Sequence, residues 1–312
     1  MESHAKAILS QYLHPIASYM DDGAVQEIMV NRPDDIWVER NGVVQKVDAA
    51  FDRRSLRSAI KVLGRMVDRD VEEDSENAIL DAHLGDLRVG AVLHPVAYNG
   101  DAVAIRKHGR SDAPLSSFAP DGNDGQPGSL TDTTQDDMLE YLKALVRAKK
   151  NILVAGGTST GKTTFLNALL REVPDDERLL VIEDTAELNI KQPNQIRLVA
   201  NPRIGIDARI LLRLALRMRP DRIVVGEVRG GEAFDLMQAW NTGHDGGAAS
   251  IHASSPEGAI RRLETLVLTA NTGWPIEAIH HAVIHTVDYI VHLIRRRGRR
   301  QIAQIVKVAD LL

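Results

Sequence analysis

Cysteine is absent from all 312 residues. That excludes disulfides, thiolate zinc sites and a cysteine nucleophile, and it permits a reducing compartment. Aromatic residues are only 4% of the chain, and no aromatic-plus-basic stretch resembles a strand-binding platform. A base-stacking platform is therefore missing, and direct nucleic-acid binding is not expected. There is no run of 18 apolar residues, so no membrane-spanning helix is expected. The opening MESHAKAILSQYLHPIASYM lacks the basic-then-apolar order of a secretory signal. Net charge is −5, which argues against a general nucleic-acid coat.

Positive charge is missing from one stretch in particular. Residues 111–140 hold seven acids and no Lys or Arg, whereas residues 141–312 hold 24 bases against 18 acids. The acidic stretch is also rich in Gly, Pro, Ser and Asp, too polar to offset its ordering entropy by burial, and reads as a mobile linker over 111–135. Two domains follow: an α+β domain over 1–110 and an α/β domain over 136–312. In the first, a helix is expected from about Lys6 to Met20. Strands are expected at EIMVN, IWVER and VVQKV, the last two joined by the tight-turn pair Asn41-Gly42. A helix over Arg53–Val67 and strands near Ile79–Leu84, Leu87–Val92 and Ala102–Arg106 complete it. In the second, the short apolar runs NILVA, LLVIE, IVVGE and AASIH alternate with helical patterns, which predicts a largely parallel sheet covered on both faces. At its end DYIVHLI and QIAQIVKV flank Arg295–Arg300 as a hairpin with a basic tip, more simply read as a solvated turn than as a lipid or nucleic-acid contact.

One segment carries specific chemistry. Gly156, Gly157, Thr158, Ser159, Thr160, Gly161, Lys162 and Thr163 fit G-x-x-x-x-G-K-[ST], with Thr164 continuing into a helix pattern and the strand NILVA just before. In that order, backbone N–H groups gather around phosphate oxygens at the positive end of a helix. Lys162 reaches the outer phosphates and the Thr163 hydroxyl can hold Mg²⁺. A nucleoside triphosphate is the implied ligand, ahead of an ordinary Gly-rich turn.

Hydrolysis needs more than a phosphate cradle. Glu227 ends one apolar strand, and Glu183 with Asp184 ends another, on the sheet edge where ligands of such folds bind. They are candidates for facing Mg²⁺ or the attacking water. His252 closes a further apolar run at that edge and is a candidate for sensing the terminal phosphate, His244 less so. Without a third ligand at suitable spacing, the two do not make a zinc site. His280, His281, His285 and His292 read as structural. Arg209, Arg213 and Arg217 recur every four residues and form a cationic stripe that meets either acids, phosphate or water. Arg106, closing a strand of the first domain, and Arg88 on a neighbouring strand could each approach the nucleotide.

Four signatures stand in order: GGTSTGKTT, the acidic box IEDTAEL, an atypical Walker B segment RPDRIVVGEVRGGEA, and a histidine box TGHDGGAASIHASSPEGAIRRLE. Together they resemble the hexameric secretion (traffic) ATPases of type IV and type II secretion systems, the VirB-type and GspE-type families, and most of all the TrbB-like conjugal transfer ATPases. The resemblance implies a RecA-like P-loop NTPase domain behind a smaller N-terminal α+β domain. It also implies ATP and Mg²⁺, a homo-hexameric ring, and a cytoplasmic position, peripheral on the inner face of the bacterial inner membrane among other components of the machine. Carried over by motif, Lys162 and Thr163 bind phosphates and Mg²⁺, Glu227 polarises water, Glu183 and Glu187 are acidic-box partners with Glu183 a second metal candidate, His252 couples hydrolysis to motion, and Arg106, then Arg88, contact the phosphates. The four-cysteine zinc module common in pilus-assembly and type II relatives is ruled out here. The alternatives are a type II secretion or pilus-retraction motor, a nucleic-acid translocating motor, and a nucleotide-gated scaffold that does not hydrolyse. Gene neighbourhood, DNA-stimulated turnover and phosphate release separate them.

Overall fold

The computed structural model describes residues 11–73, 76–85, 87–107, 113–120, 135–296 and 298–311. The chain divides into two compact units, Met1–Arg110 and Ser111–Leu312.

The first unit is built on a six-stranded antiparallel sheet. Its strands are β1 (Val25–Arg32), β2 (Asp35–Arg40), β3 (Val43–Lys46), β4 (Ile79–Leu84), β5 (Leu87–Val92) and β6 (Ala102–Lys107), ordered β3-β2-β1-β6-β5-β4. Asn41 and Gly42 both take positive φ, which matches the twist of the β2–β3 hairpin they join. Period-two alternation sends Ile28, Val30, Ile36, Val38, Leu80, Val89, Val103 and Ile105 into one core. Short helix α1 (Ala17–Asp21) and helix α2 (Arg53–Arg65) belong to the same unit, and Leu56, Ala59, Ile60 and Leu63 of α2 fill that core. Each fully buried Leu or Ile contributes about 1.5–3 kcal/mol. Asp52 caps α2 by accepting from the Ser55 N–H at 3.1 Å. The opening helix differs from expectation in its described part. Pro15 lacks a donor and cannot continue a helix, and a 3-10 turn over His14–Ile16 precedes α1. Residues 1–10 of that segment lie outside the described residues.

The second unit carries a seven-stranded sheet. Its strands are β7 (Ile152–Gly156), β8 (Leu179–Glu183), β9 (Gln195–Val199), β10 (Arg222–Val225), β11 (Ala248–His252), β12 (Tyr289–Arg296) and β13 (Arg299–Lys307), ordered β13-β12-β7-β11-β10-β8-β9. All neighbours are parallel except the β12–β13 hairpin. Both faces are covered. Leu153, Ala155, Leu180, Ile182, Ile223 and Ile251 pack into a layer with α5 (Ala208–Ala215), α6 (Glu232–Asn241), α7 (Pro256–Leu268) and α8 (Ile276–Thr286). The alternate residues, Ile152, Val154, Leu179, Val181 and Val224, pack with α3 (Gln135–Arg147) and α4 (Lys162–Leu170). Near-continuous apolar strands are what such two-sided burial demands.

The stretch read as linker starts with an attachment. Leu115–Phe118 forms a 3-10 turn whose Leu115 and Phe118 are buried in the second unit. Phe118 meets Phe165 of α4 edge-to-face, ring centroids 5.2 Å apart. Two large apolar residues give this polar segment a foothold. Residues 121–134 lie outside the described residues. Strand β9 was not legible as a strand: it is an edge, with only Ile196 and Leu198 turned to the core.

Candidate nucleotide site at the carboxyl edge of the parallel sheet

Three neighbouring strand ends build the site. β7 runs into the phosphate loop, β11 beside it ends at His252 in register with Gly156, and β10 beside β11 leads two residues on to Glu227. Their spacing is fixed from below. The buried Asn151 side chain accepts from the N–H groups of Gly246 and Gly247 at 2.9 and 3.0 Å and donates to the Thr286 carbonyl at 2.9 Å. It is fixed from above by the Ser250 hydroxyl donating to Gly226 O at 2.6 Å.

The loop Gly157–Gly161 closes tightly. Gly161, capping α4, has φ 90°, a conformation that favours glycine. A Cβ on Gly156 would come within 2.5 Å of Thr160 Oγ1 and 2.9 Å of the Leu293 carbonyl, so the first glycine is needed for close approach. Thr160 Oγ1 donates to Gly157 O at 2.9 Å.

Lys162 opens α4 and is 8% exposed. Its Nζ donates to Gly156 O at 3.0 Å and Gly157 O at 2.9 Å and lies 3.3 Å from His252 Nδ1. Burial pulls the ammonium below its ordinary value, with Glu227 opposing. Burial and then the Lys162 charge also hold the His252 imidazole below its usual range, favouring the neutral ring. A neutral ring with Nδ1 accepting from Lys162 carries its proton on Nε2, which is 2.9 Å from Glu227 Oε1. Burial pushes the Glu227 carboxyl up, but the bond from Arg229 and the charges of Arg229 and Lys162 outweigh it, so Glu227 is held ionised. Lys162, His252 and Glu227 are thus one connected chain from phosphate loop to acid.

The acidic box divides its labour. Glu183 is 4% exposed. Its Oε1 accepts from the Glu187 and Leu188 N–H groups, each at 2.8 Å, and its Oε2 from Arg197 at 3.2 Å. Burial dominates and raises its pKa. Glu183 therefore pins the turn after β8. The carboxylate beside the phosphate loop is that of Glu187, whose Oε2 accepts from the Thr163 hydroxyl at 3.2 Å. Among the described residues no three His, Asp or Glu side chains converge as a metal cage. The hydroxyl of Thr163 and the carboxylate of Glu187 are hard oxygen donors of the kind that share Mg²⁺ with substrate phosphates, so this pair fits the ion.

Other sequence candidates lie elsewhere. Arg88 and Arg106 are cross-strand neighbours on β5 and β6 of the first unit, paired there with Asp81 at 3.7 Å and Glu27 at 3.3 Å. His244 turns to the Ala239 carbonyl at 3.3 Å. His292 is buried in β12. His280 bonds Glu264, and the His281 and His285 rings touch each other. Of the arginine stripe, Arg209 and Arg213 both bond Asp235 of α6, at 2.7 and 2.9 Å, which relieves their mutual repulsion. In the hairpin, Arg295 faces Arg300. The Arg300 stem lies so close to Gly161 that a Cβ there would come within 2.7 Å of it.

Sequence reasoning missed Arg229. It bonds Glu227 Oε2 at 2.7 Å and comes within 3.8 Å of Asp184. The available signal was its place two residues after Glu227 in a Gly-rich turn. Also missed was the buried pair of Arg222 with Glu177, bonded twice at 2.6 and 3.1 Å.

The chain is similar to known proteins along nearly its whole length. The family model described as type II/IV secretion system protein matches residues 10–307. A Bordetella bronchiseptica protein named type IV secretion system protein PtlH homolog is 37% identical over 321 residues, covering 96% of this chain and 93% of its own. The conjugal transfer protein TrbB of Rhizobium radiobacter is 33% identical over 298 residues, covering 93% and 85%. The crystal structure of the VirB11 ATPase from the Brucella suis type IV secretion system, solved with sulphate, matches with TM-score 0.53 and 31% identity over 99% of this chain and 97% of that one. The chain with this phosphate loop, acidic box and strand-end histidine belongs to the type II/IV secretion system protein family.

Proposed function

We propose that the second unit hydrolyses ATP to ADP and phosphate with Mg²⁺, as the motor of a type IV secretion or conjugative-transfer machine. The observation that carries the reading is the chain Lys162–His252–Glu227 across three adjacent strand ends, with Glu227 ionised. In the reaction, the loop amides and Lys162 take the phosphate oxygens, Lys162 exchanging its bonds to the Gly156 and Gly157 carbonyls for them. Glu227 orients the attacking water and accepts its proton. His252, touching both Lys162 and Glu227, registers whether Lys162 is engaged. Thr163 and Glu187 would hold Mg²⁺, which neutralises charge on the outer phosphates when bound.

Assembly as a homo-hexamer, a cytoplasmic position against the inner membrane, and work alongside other machine components belong to the same proposal. They are supported by family membership, and no helix among the described residues is long and apolar enough to cross a membrane. Phosphate release from Mg-ATP tests the reading. It should vanish in Lys162→Ala and fall strongly in Glu227→Gln while nucleotide still binds. Undiminished release in Glu227→Gln would remove the catalytic assignment. Particle mass with and without Mg-nucleotide tests the ring.

A further inference from the structure

Arg229 lies in the turn between β10 and α6, and its backbone is fixed before its side chain is considered. Glu232, in the first turn of α6, accepts from the Arg229 N–H at 2.6 Å and the Gly230 N–H at 2.7 Å through the same oxygen. From that anchored point the guanidinium folds back over the sheet edge. One nitrogen meets Glu227 Oε2 at 2.7 Å, and another lies 3.8 Å from Asp184 Oδ2, at the end of β8. The remaining oxygen of Glu227 is taken by His252 Nε2. A carboxylate held by a donor on each oxygen has its plane fixed as well as its position.

We propose that Arg229 is the positioning residue of the centre: bonded to Glu227 Oε2 and facing Asp184 at the end of β8, it fixes the Glu227 carboxylate in place opposite His252. This rests on the reading of the site as an ATPase centre and adds a residue to it. The titratable and charged groups around Glu227 are Lys162 from α4, His252 from β11 with Arg262 of α7 beyond it, and Arg229, itself faced by Asp184 and Glu187 from the acidic box and Glu232 from α6. Without the guanidinium, His252 alone restrains Glu227. Burial then acts on the carboxyl with one opposing charge fewer, and the acids Asp184 and Glu187 lose the cation that separates them from it. The guanidinium bonds Glu227 with one nitrogen and faces Asp184 with another; a lysine keeps the charge but only part of that geometry.

The test is steady-state hydrolysis of Mg-ATP by the full chain from pH 5.5 to 8.5 in wild type, Arg229→Gln and Arg229→Lys, with binding of a fluorescent ATP analogue in parallel. Arg229→Gln should lower kcat about tenfold at pH 7.5 with KM within about twofold. The acid limb of its kcat profile should move to higher pH, because burial of Glu227 is less opposed. Arg229→Lys should keep the acid limb of wild type and recover part of kcat; being charge-conserving, it also serves if the glutamine variant is poorly folded. A kcat loss equal at every pH, or a lysine variant no better than glutamine, would mean a merely structural residue and overturn the proposal. Wild type that binds the analogue without releasing phosphate would overturn the ATPase reading and the proposal together. Wild-type turnover with an unmoved acid limb in Arg229→Gln would overturn the proposal alone.

Discussion

The two sheets of this chain solve burial in opposite ways. The antiparallel sheet of the first unit packs one face on α2 and turns the other outward, with Glu27, Arg106 and Arg88 side by side across three strands. Its polar groups therefore sit along the strands. The parallel sheet of the second unit is covered on both faces, and chemistry is confined to the residues that leave its carboxyl edge: the phosphate loop, His252, Glu227 and the acidic box. A charge on the open sheet is nearly free to change, whereas a charge in the closed one must be paired or stand at an end.

The sharpest way to break this contrast is at the edge. Lys162→Ala should remove hydrolysis by a factor of at least about 10³, and Glu227→Gln by about 10²–10³, while melting temperature barely moves. A large drop in stability would mean that the edge groups hold the sheet together. Next is the interior of the closed sheet: Glu177→Gln weakens the partner of Arg222, which is 1% exposed, and should cost about 3 kcal/mol in urea unfolding. A cost below about 1 kcal/mol would show that water reaches the pair. Within the open sheet, Ile28→Ala on the packed face should cost about 2–4 kcal/mol. Arg106→Ala on the outer face should cost less than about 1 kcal/mol, because its pair with Glu27 is half exposed. Turnover lost in Arg106→Ala without lost stability would give that face a part in the reaction.

The smallest effect is acid sensitivity. Burial holds His252 and His292 below the ordinary value of 6.5. Both bind a proton less readily folded than unfolded, so the stability they contribute is full above that value and is lost as pH falls below it. Melting temperature should drop between pH 7 and pH 5.5, and drop less in His292→Gln. An equal drop would place the sensitivity in other groups.

Much of this was legible because each sheet writes its own pattern. Alternation marked β1, β2, β4, β5 and β6, and short apolar runs marked β7, β8, β10 and β11, to within a residue or two. Lys162, His252 and Glu227 could be singled out since each ends or follows an apolar run, and the fold converts those ends into neighbours. What stayed hidden depends on contacts between elements distant in sequence. Glu183 and Glu187 look alike in IEDTAEL; only the turn geometry gives one to backbone amides and the other to Thr163. Arg229 is one more basic residue until the loop bends it back onto Glu227. Leu115 and Phe118 are too few to announce a packed turn amid Ser, Asp and Pro, yet they find the back of α4.

That last attachment has a mechanical meaning. Phe118 rests edge-on against Phe165, one turn into the helix whose first residue is Lys162. The turn that holds Leu115 and Phe118 also packs against β13, so a pull arriving at residue 113 is shared between the edge hairpin of the sheet and the helix that Lys162 opens. The foothold is moored to the same short rod that begins with Lys162, so a load on the one and a ligand taken by the other would bear on one lever.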